Sequence, residues 1–72
     1  MTKRELLQKF GAKARCMHTQ RVAYRYWNDL VPLLTTSESA ALSIAWGHHV
    51  DVGEGPEELD DVCATLLAEW EQ

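Results

Sequence analysis

The sequence predicts an all-α fold, a compact bundle of four or five short helices. Apolar residues recur three and four positions apart along most of the chain, which is the spacing of a helix with one buried face. Thr2 with Glu5, and Thr35 with Glu38, match the capping-box spacing that begins many helices. A length of 72 residues and an apolar content of 46% indicate one small folded domain, residues 1–72.

The first helix is expected to run from Thr2 to Gly11. Its apolar residues, Leu6, Leu7 and Phe10, lie three and four positions apart and so share one face. Gly11 follows this pattern directly. Because glycine is a poor helix former, its position predicts the end of the helix.

A second helical segment reaches Leu30 and is stopped by Pro32, which cannot continue a helix. The pattern leaves its start open, because the segment can begin near Ala12 or near Thr19. Residues 12–30 therefore hold either one helix or two, and the sequence does not decide between them.

The third helix begins at Thr35 and is apolar around most of its circumference, so it is expected at the centre of the core. Gly47 is expected to cap its C-terminus. Residues 47–55 then form a connection, with a short extended stretch at 49–52 as the alternative. The apolar residues of this helix are Ala40, Ala41, Leu42, Ile44, Ala45 and Trp46.

The last helix has the most regular pattern, and Pro56 suits its first position. Acidic side chains in the first turns complement the helix dipole, and they are Glu57, Glu58, Asp60 and Asp61. A continuous apolar stripe follows, formed by Leu59, Val62, Cys63, Leu66, Leu67 and Trp70.

Charge is strongly segregated along the chain. All seven Lys and Arg residues lie between Lys3 and Arg25, and ten of the eleven acidic residues lie between Asp29 and Glu71. Residues 1–27 carry seven basic and one acidic residue, a net charge of +6, and residues 28–72 carry a net charge of −10. Two surfaces of opposite sign indicate two partners, or one partner that is itself polarised.

Composition argues for a binding protein. No catalytic or nucleotide-binding motif is present, and so small a domain leaves little room for an enzyme cleft, so we expect no enzymatic activity and no cofactor. No apolar run approaches the roughly 18 residues of a membrane span, and no signal peptide precedes the domain, so a cytoplasmic location is expected. Cys16 and Cys63 are expected to be buried thiols.

The sequence contains two other groups of reactive side chains. His48, His49 and Asp51 are metal-binding residue types, but neighbouring histidines in a loop lack the fixed geometry of a helical pair, so no metal site is predicted. Cys16 and His18 lack a third group to orient them, so no catalytic site is predicted there.

A basic segment lies among the aromatic residues of the second helical stretch. Side chains of this kind can contact both phosphates and base edges of DNA, although a solvated basic face has the same composition. The residues of this segment expected to contact DNA are Lys13, Gln20, Arg21 and Arg25.

The run KRELLQKFG (residues 3–11), followed by WNDLVP (residues 27–32), resembles the small Cro-type helix-turn-helix repressors of bacteriophages. The resemblance implies that Ala14 takes the small-residue position of the first motif helix and His18 the turn. It also implies that Tyr24 and Trp27 are buried in a recognition helix. The residues that would then face DNA are Thr19, Gln20, Arg21 and Arg25.

Two functional hypotheses follow. The first is a DNA-binding transcriptional regulator of phage or mobile-element type, whose acidic C-terminal helix mediates homodimerisation or binds a second partner. The second is a protein-binding adaptor or inhibitor. The interval between Phe10 and Trp27 is shorter than in the repressors, which is expected of a helix-turn-helix scaffold that has lost DNA binding, and the acidic half would then bind a protein partner. The acidic helix would dock on a basic protein surface through Glu57, Glu58, Asp60 and Asp61.

Overall fold

The computed structural model describes residues 1–71, which fold into four α-helices. No strand occurs within these residues, so the predicted all-α bundle is confirmed. Short 3₁₀ turns lie at Met17–Thr19 and Val31–Leu33. The helices are α1 (Lys3–Ala14), α2 (Gln20–Leu30), α3 (Thr36–Val50) and α4 (Glu57–Trp70).

Helix α1 begins as predicted, with the Thr2 hydroxyl accepting a hydrogen bond from the Glu5 backbone amide at 3.1 Å. The Glu5 carboxylate accepts from the Thr2 hydroxyl at 3.2 Å and not from the Thr2 backbone, so only the N-cap half of the predicted capping box forms. The predicted end at Gly11 is wrong, since the helix continues to Ala14. A β-carbon placed on Gly11 would lie 3.3 Å from the Cys63 sulfur of α4. The glycine therefore permits close approach of two helices and does not end one.

The segment 12–30 is divided between the end of α1 and the whole of α2. The Thr19 hydroxyl donates to the Lys13 carbonyl at 2.6 Å, and the side-chain amide of Gln20 donates to the Ala14 carbonyl at 2.6 Å. These bonds satisfy carbonyls that the end of α1 leaves free. The connection is thereby tied to both helices.

The capping box of α3 is confirmed. The Thr35 side chain accepts from the Glu38 amide at 3.1 Å, and the Glu38 carboxylate accepts from the Thr35 amide at 2.8 Å. The predicted end at Gly47 is wrong, because α3 continues to Val50. His48 and His49 therefore lie on the last turn of α3. The connection to α4, residues 51–56, is shorter than the expected 47–55.

The expectation that α3 forms the centre of the core is also wrong. Ala40, Ala41 and Ile44 are exposed. The buried apolar residues of α3 are Leu42 and Ala45, and its Trp46 packs against the core while partly exposed. Helix α1 makes the largest contribution and packs against both α2 and α4. Its buried residues are Leu6, Leu7, Phe10 and Ala14.

The apolar stripe of α4 is confirmed. Leu59 and Leu66 are buried, and Val62, Cys63, Leu67 and Trp70 pack against the core. Pro56 lies immediately before the first helical residue.

The two cysteines differ in environment, and both are free thiols. Cys63 is partly buried in α4, and this burial raises the pKa of its thiol to about 11. The prediction that Cys16 is buried is wrong, because it lies exposed in the connection after α1.

Candidate nucleic-acid interface

Helix α2 presents one exposed polar face to solvent. Arg21, Tyr24, Arg25 and Asn28 are all exposed, and their spacing of three and four residues places them side by side along the helix. The opposite face is anchored by buried residues such as Ala23. We call these four exposed residues the α2 basic stripe.

Three of the seven basic residues contact the C-terminal helix or the residue after it. The Arg15 guanidinium donates two hydrogen bonds, of 3.2 and 3.0 Å, to the Asp60 carboxylate. The Lys3 ammonium lies 4.2 Å from the ring centroid of Trp70. Arg4 forms an ion pair with Glu71. One flank of the basic half is therefore folded against the acidic half.

The other four basic residues, Lys9, Lys13, Arg21 and Arg25, are exposed and form no ion pair within residues 1–71. Lys9 and Lys13 lie on the flank of α1 that faces away from α4. Each lies two positions from a residue that faces α4, and two positions correspond to a rotation of about 200° around the helix. The residues that face α4 include Gly11 and Arg15. Internal pairing thus leaves the unpaired positive charge on α2 and the free flank of α1.

Two of the residues expected to contact DNA are used inside the protein. The Gln20 amide nitrogen donates to the Ala14 and Cys16 carbonyls, at 2.6 and 3.0 Å. Its oxygen accepts from the Trp46 indole at 2.7 Å. The Thr19 hydroxyl donates to the backbone of α1. Both side chains hold α2 in place, whereas Lys13, Arg21 and Arg25 extend into solvent.

The structure corrects one assignment implied by the resemblance and adds one residue. Tyr24 was expected to be buried, but 61% of it is exposed, whereas Trp27 is partly buried. Asn28 was not singled out, although helical spacing from Tyr24 and Arg25 would have placed it on the same face. His18 lies in the 3₁₀ turn of the connection, as the resemblance implied.

An aromatic cluster fixes the position of the stripe relative to the core. The Trp46 ring contacts three others, with centroid distances of 5.0 Å to the buried Phe10, 5.7 Å to Trp27 and 5.1 Å to Tyr24. The rings of Tyr24, Trp27 and Trp46 line a shallow groove of about 230 Å³ between α2 and α3. Aromatic contacts of this kind favour a single orientation of the helix.

The acidic residues at the start of α4 are only partly free. Glu58 lies 2.7 Å from the Nδ1 atom of His48, and this hydrogen bond and charge raise the pKa of the histidine. Asp60 is bonded to Arg15, as described above. Glu57 and Asp61 are exposed and form no ion pair within residues 1–71.

A second groove lies between α3 and α4, with a volume of about 340 Å³. Its apolar lining includes Ala41, Val62 and Leu66. Asp61 and Glu69 supply negative charge to the same lining, and both are exposed. The groove is therefore apolar with acidic residues beside it.

No protein-family model, curated protein or solved structure matches this chain. The resemblance to Cro-type repressors therefore stays a prediction. Among the helices of residues 1–71, none is both long and apolar enough to cross a membrane.

Proposed function

We propose that this protein binds DNA through the α2 basic stripe and Lys13, as a transcriptional regulator of phage or mobile-element type. One observation carries the proposal. The basic residues of one flank are engaged with the C-terminal helix, while Lys13, Arg21 and Arg25 stay exposed and unpaired within residues 1–71.

The chemistry of the stripe suits a duplex. Arginine can bind phosphate or form two hydrogen bonds to guanine, and asparagine can do so with adenine, so Arg21, Arg25 and Asn28 offer both kinds of contact. The 11 residues of α2 span about 16 Å, and a helix of ordinary diameter enters the major groove, which is about 12 Å wide. Tyr24 adds an exposed phenol between the two arginines.

The distribution of negative charge restricts how DNA can approach. Asp29 is exposed one turn after Arg25, so the phosphate contacts of α2 are expected at Arg21 and Arg25. The acids of α4 would repel the phosphate backbone. DNA is therefore expected to lie against the α2 basic stripe and the adjacent end of α1.

Nuclear magnetic resonance tests this placement directly. A uniformly ¹⁵N-labelled sample is titrated at low ionic strength with a short duplex of random sequence, since non-specific binding is expected before an operator is known. We expect the largest changes in amide shifts within residues 13–28 and the smallest in α4. The absence of any shift, or changes centred on α3 and α4, would contradict the proposal.

A second candidate function rests on the groove between α3 and α4. Its apolar lining with Asp61 and Glu69 beside it matches what a basic amphipathic helix would need, so the protein would act as an adaptor or inhibitor of a basic protein. Association kinetics of a partner captured from the host would test it. Asp61→Asn with Glu69→Gln should slow association, whereas Asp29→Asn with Asp51→Asn should not.

A further inference from the structure

Three side chains with metal-binding atoms meet where α3 ends and α4 begins. One ligand atom each from His48, Glu54 and Glu58 lies within 4.8 Å of the other two. The residues come from the last turn of α3, the connection and the first turn of α4. In the sequence His48 lies beside His49 and near Asp51, and no periodicity relates it to the two glutamates.

The backbone that carries Glu54 is fixed from two sides. Its amide donates to the His48 carbonyl at 3.1 Å, and its carbonyl lies 2.7 Å from the Nδ1 atom of the buried His49. Gly53 has a φ of +81°, a conformation that glycine adopts without strain and that turns the chain back toward α3. The donor atoms are therefore brought together by the fold itself, which lowers the cost of gathering them around an ion.

We propose that His48, Glu54 and Glu58 form a binding site for a divalent transition-metal ion, with Zn²⁺ as the best fit. Zinc binds imidazole nitrogen and carboxylate oxygen, whereas Ca²⁺ and Mg²⁺ prefer oxygen ligands alone. Three protein ligands and one water complete its usual tetrahedral shell.

The geometry needs only side-chain adjustment to hold the ion. With metal–ligand distances of about 2.0–2.2 Å, tetrahedral ligand atoms lie about 3.3–3.6 Å apart. The longer distances between ligand atoms, which reach up to 4.8 Å, would shorten, and the 2.7 Å distance between His48 and Glu58 would lengthen. Both carboxylates are exposed, so the short side-chain movements that this requires meet little steric resistance. The ion competes with protons for the His48 imidazole, so binding should weaken at acidic pH.

Calorimetric titration of the full chain with ZnCl₂ at neutral pH tests the site. We expect one saturable site in the parent, and a loss of affinity of about ten-fold or more in His48→Gln, Glu54→Gln and Glu58→Gln. Glu54→Gln is the sharpest variant, because its side chain makes no hydrogen bond to another residue within 1–71 and its loss should leave folding intact. Circular dichroism confirms the fold of each variant.

Two control variants separate the site from general charge effects. Glu57→Gln removes a neighbouring negative charge outside the cluster, and His18→Gln removes an exposed histidine in the connection after α1. Both should bind Zn²⁺ like the parent. The proposal is overturned if the parent shows no saturable binding, or if Glu57→Gln weakens binding as much as Glu54→Gln does.

Discussion

Arg15 and Asp60, which are 45 positions apart in the sequence, are joined by two hydrogen bonds of 3.2 and 3.0 Å. This pair links the end of α1 to the first turn of α4, so the basic half of the chain is folded onto the acidic half. Part of the charge segregation is thereby neutralised inside the domain. The positive charge that remains unpaired lies on the opposite flank of α1 and on α2.

The Arg15–Asp60 pair should add little stability. Both side chains are about half exposed, and exposed ion pairs contribute about 0–1 kcal/mol. In a double-mutant cycle of Arg15→Gln and Asp60→Asn, followed by urea unfolding, we expect a coupling free energy below about 1 kcal/mol that falls further at high salt. A coupling well above that range would mean that the pair is a major contributor to stability.

Truncating Leu59 should severely destabilise the domain. The residue is fully buried, and Leu→Ala changes of this kind cost about 2–5 kcal/mol, comparable with the whole stability of a domain of this size. Ile44→Ala is the matched control, because Ile44 is 57% exposed and its truncation should cost less than about 0.5 kcal/mol. Thermal melting followed by circular dichroism compares them. Equal losses in both variants would restore the expectation of a central α3.

The two thiols should react at very different rates. Only the thiolate is nucleophilic, and with a pKa of about 11 roughly one Cys63 in a thousand is ionised at pH 8. Cys16 is exposed in the connection. Brief treatment of the folded protein with iodoacetamide should therefore label Cys16 alone, as read by peptide mass spectrometry. Preferential labelling of Cys63 would contradict the packing of α4 against α1.

The His48–Glu58 contact should make stability depend on pH near neutrality. The contact raises the pKa of His48 above its ordinary value of 6.5 in the folded state, so its stabilising effect is complete below pH 6.5. The effect is lost as pH rises through the raised value. The free energy of unfolding, measured with urea in the presence of a chelator, should therefore fall as the pH rises through neutrality in the parent and not in His48→Gln. An identical pH dependence in both would exclude the contact as its source.

Local patterns predicted helix starts and buried stripes well. The hydroxyls of Thr2 and Thr35 cap their helices as the spacing indicated, because each accepts from the backbone amide three positions further on. The stripe of α4 was predicted because helical periodicity alone defines it. Interactions between residues three or four positions apart can therefore be predicted from the local sequence.

The ends of α1 and α3, and the long-range side-chain contacts, could not be predicted because they depend on residues distant in the sequence. Gly11 stays helical where α1 packs closely on Cys63, and α3 passes Gly47 to reach a buried His49. Tertiary packing overrides the weak preference of glycine at both positions. The bond from Trp46 to Gln20 spans 26 positions, and the cluster at His48 joins three separate segments, so no periodicity could pair them.

The central claim is that unpaired basic residues on α2, rather than the basic half as a whole, bind DNA. Two variants with the same loss of charge separate these possibilities. Arg21→Gln with Arg25→Gln removes two charges from the α2 basic stripe, and Lys3→Gln with Arg4→Gln removes two from the flank that contacts the C-terminal region. Circular dichroism first confirms that both variants are folded.

The measurement is the dependence of duplex affinity on salt concentration, read by fluorescence anisotropy. Each phosphate contact contributes about one to the slope of log affinity against log salt concentration. We predict that the slope falls by about two in the α2 variant and stays unchanged in the Lys3/Arg4 variant. Equal slopes in the two variants, or no salt-dependent binding by the parent, would contradict the account.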